Sequence, residues 1–285
     1  MEKDFVISVQ IDPGKEIEPS KFANIALNLR ARNIQVVDIN SSSSGVKHDS
    51  LVLASQFSQF GFQVIPHITP RDSLLNAVLG QFLGAYTFYD VKHVLVIRGD
   101  ERTDSSQKGV YETYSIGLIE ALSKLRKERK MDFAIGCAFD QTTAFFGPYC
   151  VDLDAEIARL IEKREAGADF IMTQPIWRYS DWLMVEEIIN YVKLPALVGI
   201  WPIFDRNTLN IVRGLGKRKL PGIIITNDIF EKLDKASDLI EISLELTANL
   251  IKDLKEKSRV DGIYLVAPFR QNNFADFYKL LDLIK

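Results

Sequence analysis

Cysteine and histidine are scarce in this sequence. Two cysteines, Cys137 and Cys150, and three histidines, His48, His67 and His93, are spread over 285 residues. Two cysteines build no disulfide framework and point to a reducing compartment. The histidines have no spacing that would assemble a metal site. Long apolar runs are lacking as well. None approaches the ~20 residues needed to span a bilayer, and the opening MEKDFVISV lacks a basic-then-apolar leader pattern. A net charge of −3 with interspersed signs leaves no basic footprint for nucleic acid. The most basic run, Lys124 to Lys130 (KLRKERK), contains Glu128 and reads as a solvated helix end. The expectation is a cytoplasmic protein with no metal and no nucleic-acid or membrane partner.

What is present is alternation. Short β-branched runs recur between longer helical patterns, the mark of βαβ units. The strand candidates are Phe5–Ile11, Ile34–Ile39, Phe62–His67, His93–Arg98, Phe133–Ala138, Ala168–Thr173, Ala196–Ile200 and Gly262–Ala267. Helical patterns fill the gaps, among them Pro19–Arg32, Asp49–Phe60, Ser73–Tyr86, Tyr111–Glu128 and Leu153–Ala166. Gly167 stands at a C′ position, where a helix stops before a buried strand. Asp228–Lys257 is nearly all helical, with a break expected near Lys235. No linker, repeat or low-complexity segment interrupts the pattern, and Ser41–Ser44 reads as a short polar loop. The reading is α/β, a single (β/α)8 TIM barrel over residues 1–285. A doubly wound open sheet is the competing architecture. The lack of GxGxxG or GxxxxGKS loops after any strand argues against it.

Active sites of parallel α/β proteins lie at the carboxyl ends of the strands. Polar residues there are Gln10 and Asp12 after strand 1, which share a face with Ser8, and Asn40 and Ser41 after strand 2. His67, Thr69 and Arg71 follow strand 3, and Arg98, Gly99 and Asp100 follow strand 4. Phe139 and Asp140, Thr173 and Gln174, Pro202 and Asp205, and Pro268, Phe269 and Arg270 follow the remaining strands in turn. Guanidinium forks at Arg71, Arg98 and Arg270 suit phosphate or carboxylate. Amides read the edges of a flat heteroaromatic ring. Each residue also has a plainer reading: His67 as a capping histidine, Arg98 and Asp100 as partners of their neighbours, Gln174 as a loop hydrogen-bonder, and Phe139 as core. Cys137 reads as an inert buried thiol, and Trp177, Trp182 and Trp201 as barrel-edge packing.

The motifs HITPRD (67–72), IRGD (97–100), EAGADFIMTQP (165–175), GIWP (199–202) and GIYLVAPF (262–269) resemble those of the methylenetetrahydrofolate reductases, in order over nearly the whole chain. The likeness is greatest to the reductase half fused to homocysteine methyltransferase domains in some bacterial proteins, a branch that VYETYSIGLI (110–119) also supports. The resemblance implies a barrel holding FAD, reduced by NAD(P)H in a ping-pong cycle. It implies reduction of 5,10-methylenetetrahydrofolate to 5-methyltetrahydrofolate, within methionine biosynthesis and one-carbon metabolism. Carried over residue by residue, His67, Thr69, Arg98, Gly99, Asp100 and Phe139 contact the cofactor. Asp100 tunes the flavin and Gln174 bonds the pterin or the nicotinamide amide. Arg159 and Lys163, one helical turn apart, serve the pyrophosphate or are simply exposed helix charges.

Two positions depart from the family pattern. Where relatives carry a general-acid glutamate on the first strand, this chain reads VQIDPG, with Gln10 in that place. A neutral amide delivers no proton; Asp12 has the parity to substitute. Glu162 stands where relatives often carry a basic residue near the phosphates. Gln10, Asp12, Asp100 and Gln174 are therefore the candidate catalytic residues. Three readings remain open at this point. The first is a flavin-dependent reductase. The second is a flavin- or folate-binding homologue with weak or no activity, acting as a partner subunit or homo-oligomer in one-carbon metabolism. The third is an unrelated barrel lyase for a phosphorylated substrate.

Overall fold

The computed structural model describes residues 5–15, 17–41, 46–100, 108–141, 153–215, 223–268 and 273–285. Phe269, Arg270, Cys150 and Ser42–Ser44 lie outside the described residues.

Eight parallel strands close in sequence order into a barrel: β1 (Val6–Ile11), β2 (Val36–Ile39), β3 (Gln63–Ile68), β4 (His93–Val96), β5 (Ala134–Phe139), β6 (Phe170–Ile176), β7 (Ala196–Ile200) and β8 (Gly262–Val266). The helices between and after them are α1 (Pro19–Arg30), α2 (Ser50–Gln59), α3 (Leu75–Tyr89), α4 (Ser115–Arg129), α5 (Leu153–Ala166), α6 (Tyr179–Val192), α7 (Arg206–Val212), α8 (Asn227–Asp234), α9 (Leu239–Lys257) and α10 (Phe274–Leu283). The alternating pattern in the sequence thus reports a TIM barrel, and each strand candidate overlaps an observed strand. No described helix is long and apolar enough to cross a membrane.

Local chemistry sets the helix boundaries. Asp49 caps α2 by accepting from the N–H groups of Leu51 and Val52 at 2.9 and 3.1 Å. Asp205 and Asp238 do the same for α7 and α9. Asp90, Lys130 and Lys193 end their helices in the left-handed conformation. Gly167 ends α5 with φ +117°, as its C′ placement requires. The expected break near Lys235 is the gap between α8 and α9. Two helices start later than the periodicity suggests. Leu74 is extended, so α3 begins at Leu75, whose N–H donates to the Glu112 carboxylate at 2.7 Å. Tyr111 has φ +43° and Tyr114 is extended, so α4 begins at Ser115.

Contacts divide the chain into two compact units. In the first, residues 8–138 with 160–172, β1 to β4 pair in parallel register with Gln10 opposite Asp38 and His67 opposite Leu95. Its core includes Val9, Val37, Ile39, Phe57, Phe82 and Leu118. Arg126 staples the amino ends of β5 and β6, donating to the Phe133 carbonyl at 3.0 Å and to Asp169, which in turn accepts from the Ile135 N–H at 2.8 Å. In the second, residues 1–7, 139–159 and 173–285, Asp261 plays the corresponding part. Its carboxylate accepts from the Ala196 N–H at 2.7 Å and its carbonyl from the Val6 N–H at 3.0 Å. Both staples sit at amino ends, which leaves the carboxyl ends for other chemistry.

Candidate active site

The strand ends of the first unit carry two connected groups. Ser8 and Gln10 project from the same face of β1 because side chains alternate along a strand. Asp38, opposite Gln10 on β2, is fully buried. Its carboxylate accepts from Ser8 Oγ at 2.7 Å and from Gln10 Nε2 at 2.9 Å, and His67 Nε2 of β3 lies 3.2 Å from the oxygen that takes Gln10. Two donors and the His67 ring nitrogen thus surround a buried acid that would be costly without partners in an apolar barrel. The hydroxyl of Ser50, first residue of α2, donates to the His67 carbonyl at 2.6 Å and fixes the backbone there. Beyond Gln10, Asp12 accepts from Lys47 Nζ at 2.7 and 2.8 Å and from the Gly14 N–H at 3.0 Å.

The second group joins β3 to β4. Thr69 Oγ1 donates to the Arg98 carbonyl at 2.7 Å and accepts from the Arg71 N–H at 3.1 Å. Gly99 has φ +80°, and a Cβ there would lie 2.4 Å from Thr69 Oγ1, so glycine is required both by backbone conformation and by space. Arg71, expected to face a ligand with its fork, is fully buried instead. Its Nε and Nη2 donate to Asp72 at 2.8 and 2.6 Å, and Nη1 donates to the Asp100 carbonyl at 3.0 Å. Burial works to lower its pKa, but the hydrogen bond and charge of Asp72 outweigh that and the net shift is upward. Arg71 therefore shapes the turn that displays Arg98 and Asp100. Those two side chains are exposed, with no hydrogen-bond or ion-pair partner among the described residues.

In the other unit, β6 runs past its expected end at Thr173 to Ile176, although Pro175 has no N–H to give a ladder. The reason is Gln141. Its Oε1 accepts from the Gln174 N–H at 2.9 Å and its Nε2 donates to the Gln174 carbonyl at 2.6 Å, as a neighbouring strand would. Tyr264 Oη donates to the Thr173 carbonyl at 2.6 Å, and Thr173 Oγ1 accepts from the Gly199 N–H at 3.2 Å. The Gln174 side chain is half-buried and has no hydrogen-bond partner among the described residues. Phe139, at the end of β5, is buried, in line with its core reading. On α5, Arg159 is ion-paired with Glu156, Lys163 Nζ donates to the Ala138 carbonyl at 2.7 Å, and Glu162 is exposed.

Two buried polar residues, Asp38 and Gln141, were not singled out in the sequence. Asp38 had a usable signal: a carboxylate inside the apolar run VVDI is rarely buried without purpose. Gln141 had none, since its role depends on a strand more than thirty residues away.

Each unit thus presents polar side chains at its strand ends, an exposed Arg98 in one and the amide of Gln174 in the other, on a closed (β/α)8 barrel. The family model described as methylenetetrahydrofolate reductase matches residues 1–281, and the chain belongs to that family. Among solved structures, an uncharacterized protein from Clostridium thermocellum, described as binding two copies of 5-methyl-5,6,7,8-tetrahydrofolic acid, is similar at 14% identity and TM-score 0.68, with 98% of this chain and 94% of that one covered. A 2,3-dimethylmalate lyase is similar at 14% identity and TM-score 0.53, covering 96% and 79%. An oxaloacetate acetylhydrolase is similar at 11% identity and TM-score 0.52, covering 97% and 80%. At these identities the solved structures share the barrel fold.

Proposed function

We propose that this protein is a flavin-dependent reductase of 5,10-methylenetetrahydrofolate, forming 5-methyltetrahydrofolate with NAD(P)H as the reductant. The family match over residues 1–281 carries the reading. The folate named for the Clostridium thermocellum protein supports the substrate class. The donor chemistry at the strand ends fits FAD. Arg98 offers an unpartnered guanidinium for a phosphate, while Thr69 and Gly99 shape the turn that presents it. His67 and the free amide of Gln174 suit the edges of flat rings, and Asp100 supplies a nearby negative charge. Lys163 and, once released from Glu156, Arg159 would serve the pyrophosphate. When bound, FAD supplies the two-electron hydride chemistry. The protein's own residues bind and orient the folate and control the proton at its bridging nitrogen.

That last task carries the second reading. Gln10 stands where the family resemblance places a general acid, and its amide is committed to Asp38. Asp12 engages Lys47 with both oxygens. These bonds favour a flavin- or folate-binding homologue with weak or no reductase activity, working in the cytoplasm as a homo-oligomer or beside a one-carbon-pathway partner. An anaerobic visible spectrum decides between the two. A flavin band that bleaches with NADH and returns with methylenetetrahydrofolate establishes the reductase. A band that bleaches without returning establishes the binding homologue. Protein that takes up no FAD overturns the flavin reading.

A further inference from the structure

The group around Asp38 is richer than charge burial requires. Two donors and an imidazole nitrogen converge on two oxygens, and they come from two different strands flanking β2: Ser8 and Gln10 from β1, His67 from β3. Only the Nε2 end of a glutamine amide can donate, so its bond to Asp38 settles which way the amide faces. With the Asp38 carboxylate as the acceptor, the ring proton of a neutral His67 would sit on Nε2. Gln10 Oε1, the second N–H of Gln10 Nε2 and His67 Nδ1 remain. Gln10 Oε1 is an acceptor, and so is His67 Nδ1 in that tautomer; neither has a hydrogen-bond partner among the described residues.

We propose that Asp38 is a positioning residue whose buried carboxylate fixes the amide of Gln10 and the tautomer of His67, so that β1 and β3 end in two neutral hydrogen-bond acceptors that select a ligand rich in N–H donors. The amino and ring N–H groups on the edge of a reduced pterin are that kind of donor. In this the inference rests on the proposed folate function, and it deepens it by assigning the recognition to acceptors without net charge. Asparagine at position 38 would be a partial substitute. Its single oxygen can still take Gln10 and His67 while its Nδ2 turns to Ser8 Oγ, which can accept. Alanine leaves no acceptor, and both side chains lose their orientation.

The test uses the full chain, with the imidazole nitrogens of His67 followed by NMR and 5-methyltetrahydrofolate binding followed by calorimetry. The expected native state has the proton on Nε2. Asp38→Ala is expected to mix the two tautomers and to weaken folate binding about tenfold or more, the scale of one or two lost hydrogen bonds. Asp38→Asn is expected to keep the Nε2–H form and to bind within about threefold of the native protein. A native His67 protonated on Nδ1 overturns the proposal, whether or not Asp38→Ala folds. So does an Asp38→Ala protein with native tautomer and native affinity. If the native protein binds no folate, the functional reading fails, and the His67 spectra of the native and variant proteins still decide whether Asp38 orients the ring.

Discussion

Gln10 and Asp38 stand directly opposite one another on β1 and β2, and the amide donates to the carboxylate at 2.9 Å. The first strand therefore ends in an amide with one of its two N–H groups engaged, beside an acid that is wholly buried. A proton donor at that place has to be introduced by substitution.

Gln10→Glu is the direct way. Two carboxylates facing each other cannot both ionise freely, so one stays protonated toward neutral pH. That proton should raise the rate of folate reduction by up to about 10²-fold, within the range of general acid catalysis. Flavin reduction by NAD(P)H should change little. The acid whose pKa is raised in the fold binds its proton more tightly there than in the unfolded chain. Relative to the native protein, the variant should thus lose stability as pH rises from the ordinary carboxylate range toward neutrality. Stopped-flow measurement of each half-reaction and melting curves against pH check both. A fall in both half-reactions, or no change in either, contradicts the missing-acid account.

Asp100→Asn removes an exposed negative charge at the end of β4. If Asp100 lies beside the flavin, the reduced anionic form becomes easier to make. The potential should rise by the equivalent of about 1 kcal/mol, roughly 20 mV for a two-electron couple. Spectroelectrochemistry with bound FAD measures it, and an unchanged potential places Asp100 away from the ring.

Gln141→Leu removes the side chain that pairs with both backbone groups of Gln174. Leaving them unpaired should cost about 2 kcal/mol in a denaturant titration and loosen the end of β6, so that ligand affinity falls along with stability. A stable variant with native affinity would show that Gln174 is held by other means.

Gly99→Ala forces a Cβ to within 2.4 Å of Thr69 Oγ1 at φ +80°. We expect destabilisation by about 1–3 kcal/mol and weaker binding of FAD, since the turn presenting Arg98 has to move. Fluorescence titration with FAD and thermal melts test this.

Burial pushes the Cys137 thiol from its ordinary value near 9 to about 11. The thiolate is the reactive form, so Cys137 should resist thiol reagents in the folded chain below about pH 10 and react at the unfolding rate. Because this acid's pKa is raised by folding, its contribution to stability is intact below the unfolded thiol pKa and is lost as pH climbs toward 11. Labelling a Cys150→Ser variant isolates the site, and rapid labelling at neutral pH would show the thiol to be accessible.

Much of the fold was legible because its signals are local. A β-branched run such as VLVI, a helix stop such as EAGAD and a cap such as Asp49 each act within a few residues. The two late helix starts were misread because the apolar period continues through Ser73 and Tyr111 while the backbone is held extended or left-handed there. The carboxyl-end positions of Gln10, His67, Arg98 and Gln174 followed from the strands. The bonds made there did not. Arg71 looked like a ligand-facing fork, yet its neighbour Asp72 and the Asp100 carbonyl take the guanidinium.

The sequence alone determined the barrel and the family, because strand order, helix punctuation and motif order are all written along one chain. Only the tertiary structure decided that Asp38 gathers Ser8, Gln10 and His67, and that Gln141 serves as the missing neighbour of Gln174. The physical reason is that a hydrogen bond depends on which strands lie side by side and in what register. The partners here are separated by about thirty residues of chain, beyond the reach of any local pattern.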